Sequence, residues 1–210
     1  MKKAFTMMEL IFVLIVIGIL AAVILPEMKS NKLREAAIQV VSHIRYTQHL
    51  AMVDDKFDVN DADWYKKRWQ IQFNKTIEGE DIWAYTIYSD ETLSDNANAI
   101  NEIARDPQNS NQYMSGGASG FILLGDIRRN KKMALQETYD ITNVSFSNCG
   151  STARRITFDH IGRPLFGNPN SANSIYERVI TDTCNIRLTH SSGDIVNIAI
   201  EPETGYAHIL

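Results

Sequence analysis

Few residues in this chain have types and spacings that could support catalysis. The glycine-rich segment GGASG, residues 116–120, is one residue out of step with the G-x-S-x-G nucleophile elbow of hydrolases. Asp159 and His160 are sequence neighbours, so on a predicted strand they would face opposite sides of the sheet. The sequence therefore provides no nucleophile or acid–base set, and we expect a non-enzymatic protein with no catalytic residues.

The histidines, cysteines and acidic residues do not follow metal-ligand spacings. His43 and His49 lie on a predicted helix with no second ligand at a four-residue step, so we expect both on the helix surface. Cys149 and Cys184 form no Cys-x-x-Cys pair and have no histidine at zinc-like spacing. The acidic run DDKFDVNDAD, residues 54–63, lacks the turn glycine and distal glutamate of a calcium loop and predicts a solvated turn. We expect no metal and no cofactor.

A local cluster of basic residues could bind an acidic partner. The chain as a whole has a formal net charge of -4, so it has no general attraction to phosphate backbones or anionic lipid. A DNA backbone could still be held by a local patch formed from Arg128, Arg129, Lys131, Lys132, Arg154 and Arg155. The alternative, which the acidic total favours, is a solvated sheet edge or turn whose charges discourage aggregation.

Glu9 stands at the head of an unbroken apolar run, residues 10–25. A helix over residues 5–25 would be about 31 Å long, close to the hydrocarbon thickness of a bilayer. A carboxylate inside hydrocarbon costs on the order of 2.5 to 3.5 kcal/mol unless it is neutralised. One candidate partner is the new amine that cleavage between Ala4 and Phe5 would create. Alternatively, Glu9 lies among the headgroups at the helix N-terminus, and position alone does not separate the two interpretations.

A removable secretory signal would also begin with lysines followed by an apolar run. Here the basic leader is only four residues long, and the run continues to Leu25, past Ala21 and Ala22. No Ala-x-Ala cleavage site follows it. These features favour a retained helix that spans the membrane.

The string KKA followed by FTMMELIFVLIVIGILAAVILP, residues 2–26, resembles the leader and stalk of type IV pilins and type II secretion pseudopilins. The resemblance implies that a prepilin peptidase cuts between Ala4 and Phe5 and methylates the new amine of Phe5. It also implies that Glu9 pairs with the N-terminus of a neighbouring subunit. Ala4 stands where the family usually has glycine.

The same resemblance implies a location, partners and a function. The chain would be a single-pass inner-membrane protein with its C-terminal domain in the periplasm, assembled into a filament. Its partners would be other pilin or pseudopilin subunits, the prepilin peptidase and the inner-membrane assembly platform. The implied function is that of a minor structural subunit of a type II secretion pseudopilus taking part in protein export. The alternative is a minor type IV pilin of an adhesive or DNA-uptake pilus, binding DNA through the basic patch.

An exported domain lies in an oxidising compartment, where thiols are commonly oxidised. Because the chain has two cysteines, we predict one disulfide between Cys149 and Cys184.

We expect four segments, namely a cleaved leader (1–4), a transmembrane stalk helix (5–28), an amphipathic helix (29–53) and an exported β-rich domain (54–210). Pro26 predicts a kink or local unwinding between the two helical parts. The amphipathic part has an apolar face at three- and four-residue steps, formed by Leu33, Ala36, Ala37, Val40, Ile44, Thr47 and Ala51. We expect this face to pack under an antiparallel β-sheet, which gives an α+β fold.

The pattern after the helix predicts antiparallel strands. Alternating apolar residues predict a hairpin of residues 69–73 and 83–87 around Gly79. Residues 89–120 are rich in Asn, Asp, Ser and Gly and predict a functional surface loop or a partly disordered connection. Further strands are predicted at 121–124, 142–146, 155–159, 185–189, 195–200 and 206–209.

A second resemblance lies in the C-terminal part of the chain. The strings RITFDHIGRP (155–164) and VNIAIEPETGYAHI (196–209), with the helical HIRYTQHLAM (43–52), resemble H-type minor pseudopilins. This resemblance implies that Phe158 is a core position and that Gly162 is a turn position.

Overall fold

The N-terminal helix α1 spans Met7–Val53 in a computed structural model that describes residues 6–76, 81–150 and 154–210. The side chains of residues 23–31 lie outside the description. The helix assignment is continuous through Pro26, and the kink expected there stays a prediction. Helix α1 ends where the acidic run begins, and Asp54 forms its C-cap through an N–H bond to the carbonyl of Leu50.

The predicted apolar face of α1 is confirmed. All seven residues of that face are at most 7% exposed. They pack against strands of both sheets described below and against a short helix, α2 (Leu135–Tyr139). The C-terminal half of α1 is therefore the central support of the globular domain.

Eight strands follow α1 in the described part of the chain, and all of their pairings are antiparallel. They are β1 (Trp69–Lys75), β2 (Trp83–Ser89), β3 (Ile141–Ser147), β4 (Arg155–Phe158), β5 (Pro164–Phe166), β6 (Cys184–His190), β7 (Ile195–Ile200) and β8 (Ala207–Ile209). The predicted α+β fold with antiparallel strands is confirmed. The strands form two four-stranded sheets, ordered β2-β1-β4-β5 and β3-β6-β7-β8.

Most of the predicted strands are present. The first hairpin pairs β1 with β2 over the full length of both strands, and its predicted turn glycine, Gly79, lies outside the described residues. The strand predicted at 121–124 is wrong, because Ile122 packs instead into a small apolar cluster with Tyr88, Ile103 and Tyr113. Strand β5 was not predicted, since three residues beginning with a proline carry almost no alternation signal.

The core lies between α1 and the two sheets, and aromatic side chains connect these layers. Phe73 on β1 stacks on Tyr85 of β2, with ring centroids 5.0 Å apart. Phe146 on β3 meets Phe73 edge-on at 5.6 Å, so this contact bridges the first sheet to the second. Such offset and edge-to-face pairs add to the stabilisation that burial alone provides.

The connection over residues 89–120 is packed rather than disordered. The backbone N–H of Ile87 donates to Met114 at 2.8 Å, and that of Gly116 donates to Tyr85 at 3.0 Å. The carbonyl of Ile87 accepts from Ala104 at 3.0 Å. The connection therefore covers the otherwise free edge of β2, which would be open to pairing with another chain.

Cys149 and Cys184 are joined in a disulfide, with Cα atoms 4.5 Å apart. Cys149 lies just after β3, and Cys184 is the first residue of β6. Between them the chain leaves the second sheet, contributes β4 and β5 to the first sheet, and returns. The disulfide thus links the two points where the chain leaves and rejoins the second sheet.

Candidate functional site

The N-terminal part of α1 presents an apolar surface on every side. Each large apolar side chain between Met7 and Leu20 is 37 to 81% exposed in the single chain. The first buried residue along the described part of the helix is Leu33. A helix that is apolar all round is normally buried in a membrane or among other helices.

Within the described residues, no helix is both long and apolar enough to cross a membrane.

Glu9 participates in the N-terminal cap of α1. Its backbone N–H donates to Oγ1 of Thr6 at 3.3 Å. Its carboxylate Oε2 accepts from the backbone N–H of Thr6 at 2.9 Å and from the Thr6 hydroxyl at 3.0 Å. This reciprocal arrangement is a capping box, which satisfies two backbone donors that the helix start would otherwise leave free. Sequence reasoning did not predict this role, although a threonine three residues before a glutamate is its usual signature.

Ala4 and Phe5, the expected cleavage residues, lie outside the described residues. Thr6 directly follows them and is the N-cap of α1. An amine created at Phe5 would therefore be one residue from the cap that holds the Glu9 carboxylate.

The six basic residues proposed for DNA contact do not form one open patch. Arg129 is buried and ion-paired with Glu137 at 2.8 Å. Arg155 is buried too, and it donates to Asn168 and to the carbonyl of Asp95. Arg128 is ion-paired with Asp126, and Arg154 lies over the Trp83 ring. Lys131 and Lys132 are exposed.

His43 is buried, which corrects the expectation of a surface position, whereas His49 is exposed as expected. Nδ1 of His43 lies 2.7 Å from the hydroxyl of Tyr85, and Nε2 of His43 lies 2.8 Å from the amide nitrogen of Gln39. Burial lowers the pKa of His43 to about 4, with a nearby Asp106 raising it and Lys132 lowering it. The imidazole is thus neutral at physiological pH and holds α1 against β2.

A polar cleft of about 360 Å³ lies beside His43, between α1 and the segment that includes Asp106 and Lys132. Asp106 accepts from the side-chain amide of Asn130 at 2.7 Å. Tyr46 donates to a backbone carbonyl at 3.1 Å. Asp106 and Tyr46 are thus hydrogen-bonded to other groups of the protein, which indicates a structural role.

The residues considered for catalysis have structural partners. The buried hydroxyl of Ser119 donates to the carbonyl of Ile122 and accepts from its N–H. Asp159 lies beyond the end of β4, not on it, and its carboxylate binds Arg163 at 2.8 Å. A Cβ at Gly116 would lie 2.5 Å from the backbone of Met133, so close backbone approach explains this glycine.

The acidic run is partly neutralised by lysines. Lys56 lies 2.6 Å from Asp54, and Lys67 lies 2.7 Å from Asp61. Among the residues that the structure describes, no group of three or more His, Cys, Asp or Glu side chains is placed to hold a metal ion.

Two turns meet over α1 at Gln48, a relationship that the sequence did not reveal. The amide of Gln48 donates to the carbonyl of Gly162 at 2.8 Å and to that of Thr204 at 2.7 Å. The first turn joins β4 to β5 in one sheet, and the second joins β7 to β8 in the other. Phe158 is fully buried and Gly162 adopts a positive φ of 87° in its turn, as expected for both positions.

The chain matches no family model, no curated protein and no solved structure at a significant level.

Proposed function

We propose that this chain is a non-enzymatic structural subunit of a type IV pilin-like filament, anchored in the inner membrane through the N-terminal part of α1. Within that class, we propose a minor pseudopilin of a type II secretion system, with its β-rich domain in the periplasm. Its partners are other subunits, a prepilin peptidase and the membrane assembly platform.

The observation that carries this proposal is the division of α1 into two parts with opposite surroundings. From Leu33 onward the apolar face is covered by the sheets, whereas between Met7 and Leu20 every large apolar side chain is exposed. Such a surface is costly in water, so it requires lipid or other helices around it. A filament subunit has both kinds of surroundings, because its helix lies first in the lipid of the membrane and then among the helices of neighbouring subunits.

Glu9 supports the assembly role because it is the only charged residue in the apolar segment between residues 6 and 25. Its capping-box geometry fixes the carboxylate at the start of the helix, and Phe5, whose amine cleavage would free, directly precedes the N-cap residue Thr6 in the sequence. A fixed negative charge at this end of the stalk can accept the ammonium of an adjoining subunit at the same depth. The pairing would set the axial position of one subunit against the next.

The globular domain supports a structural rather than a catalytic role. Ser119, Asp159 and His43, the polar groups that could have reacted, are all bound to other parts of the protein. Gln48 holds a turn of each sheet against α1, and the disulfide links the end of β3 to the start of β6 within the second sheet. A rigid head on a helical stalk is suited to packing in a filament.

The proposal is tested by co-expressing the full chain with a prepilin peptidase and sequencing the N-terminus of the membrane fraction. We expect a new N-terminus at Phe5, and co-purification of the processed chain with pseudopilins of the same operon after crosslinking. An unprocessed chain in the soluble fraction would contradict the proposal. Ala4→Gly is the matched control, because it restores the glycine usual in the family and should be cut at least as fast.

A further inference from the structure

An exposed apolar surface with acidic neighbours lies just beyond the C-terminal end of α1. Phe57 is 63% exposed and Val59 is 83% exposed. The ring of Phe57 meets that of Trp64 edge-on at 5.3 Å, which holds Phe57 in place at the surface. Asp55 and Asp58 lie in the same short segment and are also exposed. We call Asp55, Phe57, Asp58 and Val59 the acidic patch.

The acidic patch keeps its negative charge because the lysines near it in the sequence bind other carboxylates. These ion pairs are 2.6 to 2.7 Å long and join Lys56 to Asp54, Lys66 to Asp63 and Lys67 to Asp61. The carboxylates of Asp55 and Asp58 accept backbone N–H groups but form no ion pair within the described part of the chain. Their charges therefore remain available to a partner.

A second exposed apolar surface has basic neighbours and lies in the segment that leads to α2. Ile127 is 93% exposed, and the guanidinium of Arg128 lies over the ring of Phe121 at 5.5 Å. Lys131 and Lys132 are exposed and form no ion pair with any residue that the structure describes. Because Arg128 already has an ion-pair partner, the two lysines carry the free positive charge. We call Phe121, Ile127, Arg128, Lys131 and Lys132 the lysine patch.

The two patches lie at different heights along α1. Lys132 lines the cleft beside His43, whereas the acidic patch follows the end of the helix at Val53. At 1.5 Å per residue, the helical rise between His43 and Val53 is about 15 Å. A second, parallel copy displaced by about that distance toward the C-terminal end of α1 would bring its lysine patch to the height of the first copy's acidic patch.

We propose that the acidic patch and the lysine patch are the two halves of a head-to-tail contact between copies of this chain, an inference that rests on the proposed function as a membrane-anchored filament subunit. Each half combines exposed apolar side chains with unpaired charges, and the charges of the two halves have opposite signs. Because the two halves are different surfaces, the contact is heterologous and can repeat along an axis. The occupant of each patch is therefore a second copy of this chain.

The membrane anchor gives this contact its strength. Exposed ion pairs are weak and are screened by salt, so two globular domains free in solution would associate only slightly. Helices held side by side in a membrane or a filament raise the effective concentration of the globular domains that they carry. A contact that is weak in solution then becomes substantially occupied.

Photo-crosslinking of the full chain in membranes tests the contact. Benzoylphenylalanine in place of Val59, in cells that express no other filament subunit, should give a covalent dimer on irradiation. Mass spectrometry should locate the new bond within residues 121–132 of the second copy. The same probe in place of Ile195 is the matched control, because Ile195 is also exposed but lies on β7, in neither patch.

Three crosslinking results would overturn the proposal. The first is the absence of a dimer from position 59. The second is a dimer joined through residues 54–63 of both copies, which would make the contact symmetric. The third is capture of a different protein or of nucleic acid in place of a second copy.

Charge reversals test the complementarity of the patches. Asp55→Lys with Asp58→Lys in one chain, and Lys131→Glu with Lys132→Glu in another, should each lower the crosslink yield about tenfold. Mixing the two variant chains should restore the yield, because each altered patch then meets a patch of opposite sign. A mixture that crosslinks no better than either variant alone refutes the pairing.

A milder variant separates charge from local structure. Asp55→Asn with Asp58→Asn keeps oxygen acceptors for the backbone N–H groups that these side chains bind, so the turn is preserved while the charge is lost. We expect a lower crosslink yield and an unchanged unfolding temperature. A crosslink yield equal to that of the parent would show that the charges do not hold the contact.

The outcome for this contact can be distinguished from that for the proposed function. A chain that is cleaved before Phe5 and lies in the membrane, but gives no crosslink from position 59, overturns the contact alone. An unprocessed chain in the soluble fraction overturns the proposed function, and with it the side-by-side arrangement that the contact needs.

Discussion

Nδ1 of His43 and the hydroxyl oxygen of Tyr85 lie 2.7 Å apart in the buried contact between α1 and β2. Because the amide nitrogen of Gln39 donates to Nε2, Nδ1 carries the ring proton and donates to Tyr85. The hydrogen bond from Gln39 requires a neutral imidazole, because Nε2 of an imidazolium carries a proton and cannot accept. Burial raises the pKa of Tyr85 well above its usual value, so the phenol remains protonated.

This pair predicts a pH dependence of stability. The pKa of His43 is about 4 in the folded protein, against about 6.5 in the unfolded chain. The unfolded state therefore binds more protons between these values, and the free energy of unfolding should fall as the pH drops from about 6.5 to 4. The loss attributable to His43 is on the order of 3 kcal/mol. Urea unfolding of the full chain in detergent at several pH values measures it.

His43→Gln is the matched variant, because glutamine can still bind Tyr85 but does not titrate. Its stability should fall less than that of the parent between pH 6.5 and 4. The carboxylates of the two proteins are the same, so their contribution cancels in the comparison. Parallel pH profiles for parent and variant would show that His43 is not protonated on unfolding in this range.

Glu9 is predicted to be needed for filament incorporation but not for membrane insertion or folding. Glu9→Val and Glu9→Gln should both be cleaved before Phe5 and remain in the membrane. Both should enter filaments on the order of a hundredfold less than the parent, because the neighbouring ammonium loses its countercharge. Quantitative immunoblotting of sheared filaments, with N-terminal sequencing to verify processing, measures this.

The two substitutions separate charge from capping. Glutamine can still complete a capping box with Thr6, whereas valine cannot. If Glu9→Gln were incorporated like the parent while Glu9→Val was not, the cap would be the important feature and charge pairing would be wrong. Thr6→Ala removes the cap's hydroxyl but leaves the charge, and we expect it to be incorporated.

Gly205 is predicted to be intolerant of a side chain. It adopts a φ of 64°, and a Cβ there would lie 2.5 Å from the carbonyl oxygen of Gly162 and 2.6 Å from Nε2 of Gln48. Gly205→Ala should therefore lower the free energy of unfolding by more than the roughly 1 to 2 kcal/mol that the left-handed conformation alone costs a residue with a side chain. Gly193→Ala is the control, since Gly193 also has a positive φ but has open space around it. If Gly205→Ala and Gly193→Ala lowered the free energy of unfolding in urea equally, close packing around Gly205 would not contribute to stability.

The disulfide between Cys149 and Cys184 is predicted to stabilise the domain by about 2 to 4 kcal/mol, because it closes a long loop in the unfolded chain. The free energies of unfolding measured with and without reductant should differ by that amount. A Cys149→Ser, Cys184→Ser double variant should match the reduced parent and should not respond to reductant. Two free thiols, alkylated without reductant in the protein isolated from cells, would rule out the bond.

Membrane residence is predicted to depend on the N-terminal 28 residues alone. A chain beginning at Lys29 should be soluble, monomeric and cooperatively folded, because the apolar face from Leu33 onward is covered by the sheets. Ultracentrifugation and thermal unfolding test this. Persistent aggregation without a cooperative transition would contradict the boundary between stalk and domain.

Local sequence patterns predicted the elements of this fold with good accuracy. The three- and four-residue spacing between Leu33 and Ala51 identified the buried face of α1, because helical periodicity is a property of neighbouring residues. Alternation located β1, β2, β3, β6 and β7 nearly to the residue. The turns between the last three strands contain Gly193, Pro202 and Gly205, residue types whose preference for turns does not depend on distant contacts.

The order of the segments and the apolar or polar character of each could be read from neighbouring residues, including the apolar run that follows Glu9. The division of the strands into two sheets, the burial of His43 and the position of Arg68 beside a small cavity depend on how the layers pack. Gln48 shows the physical reason, because its two carbonyl partners lie 114 and 156 residues away along the chain. Contacts between such distant residues leave no periodic signal in the sequence, and they arise only when all the layers pack together.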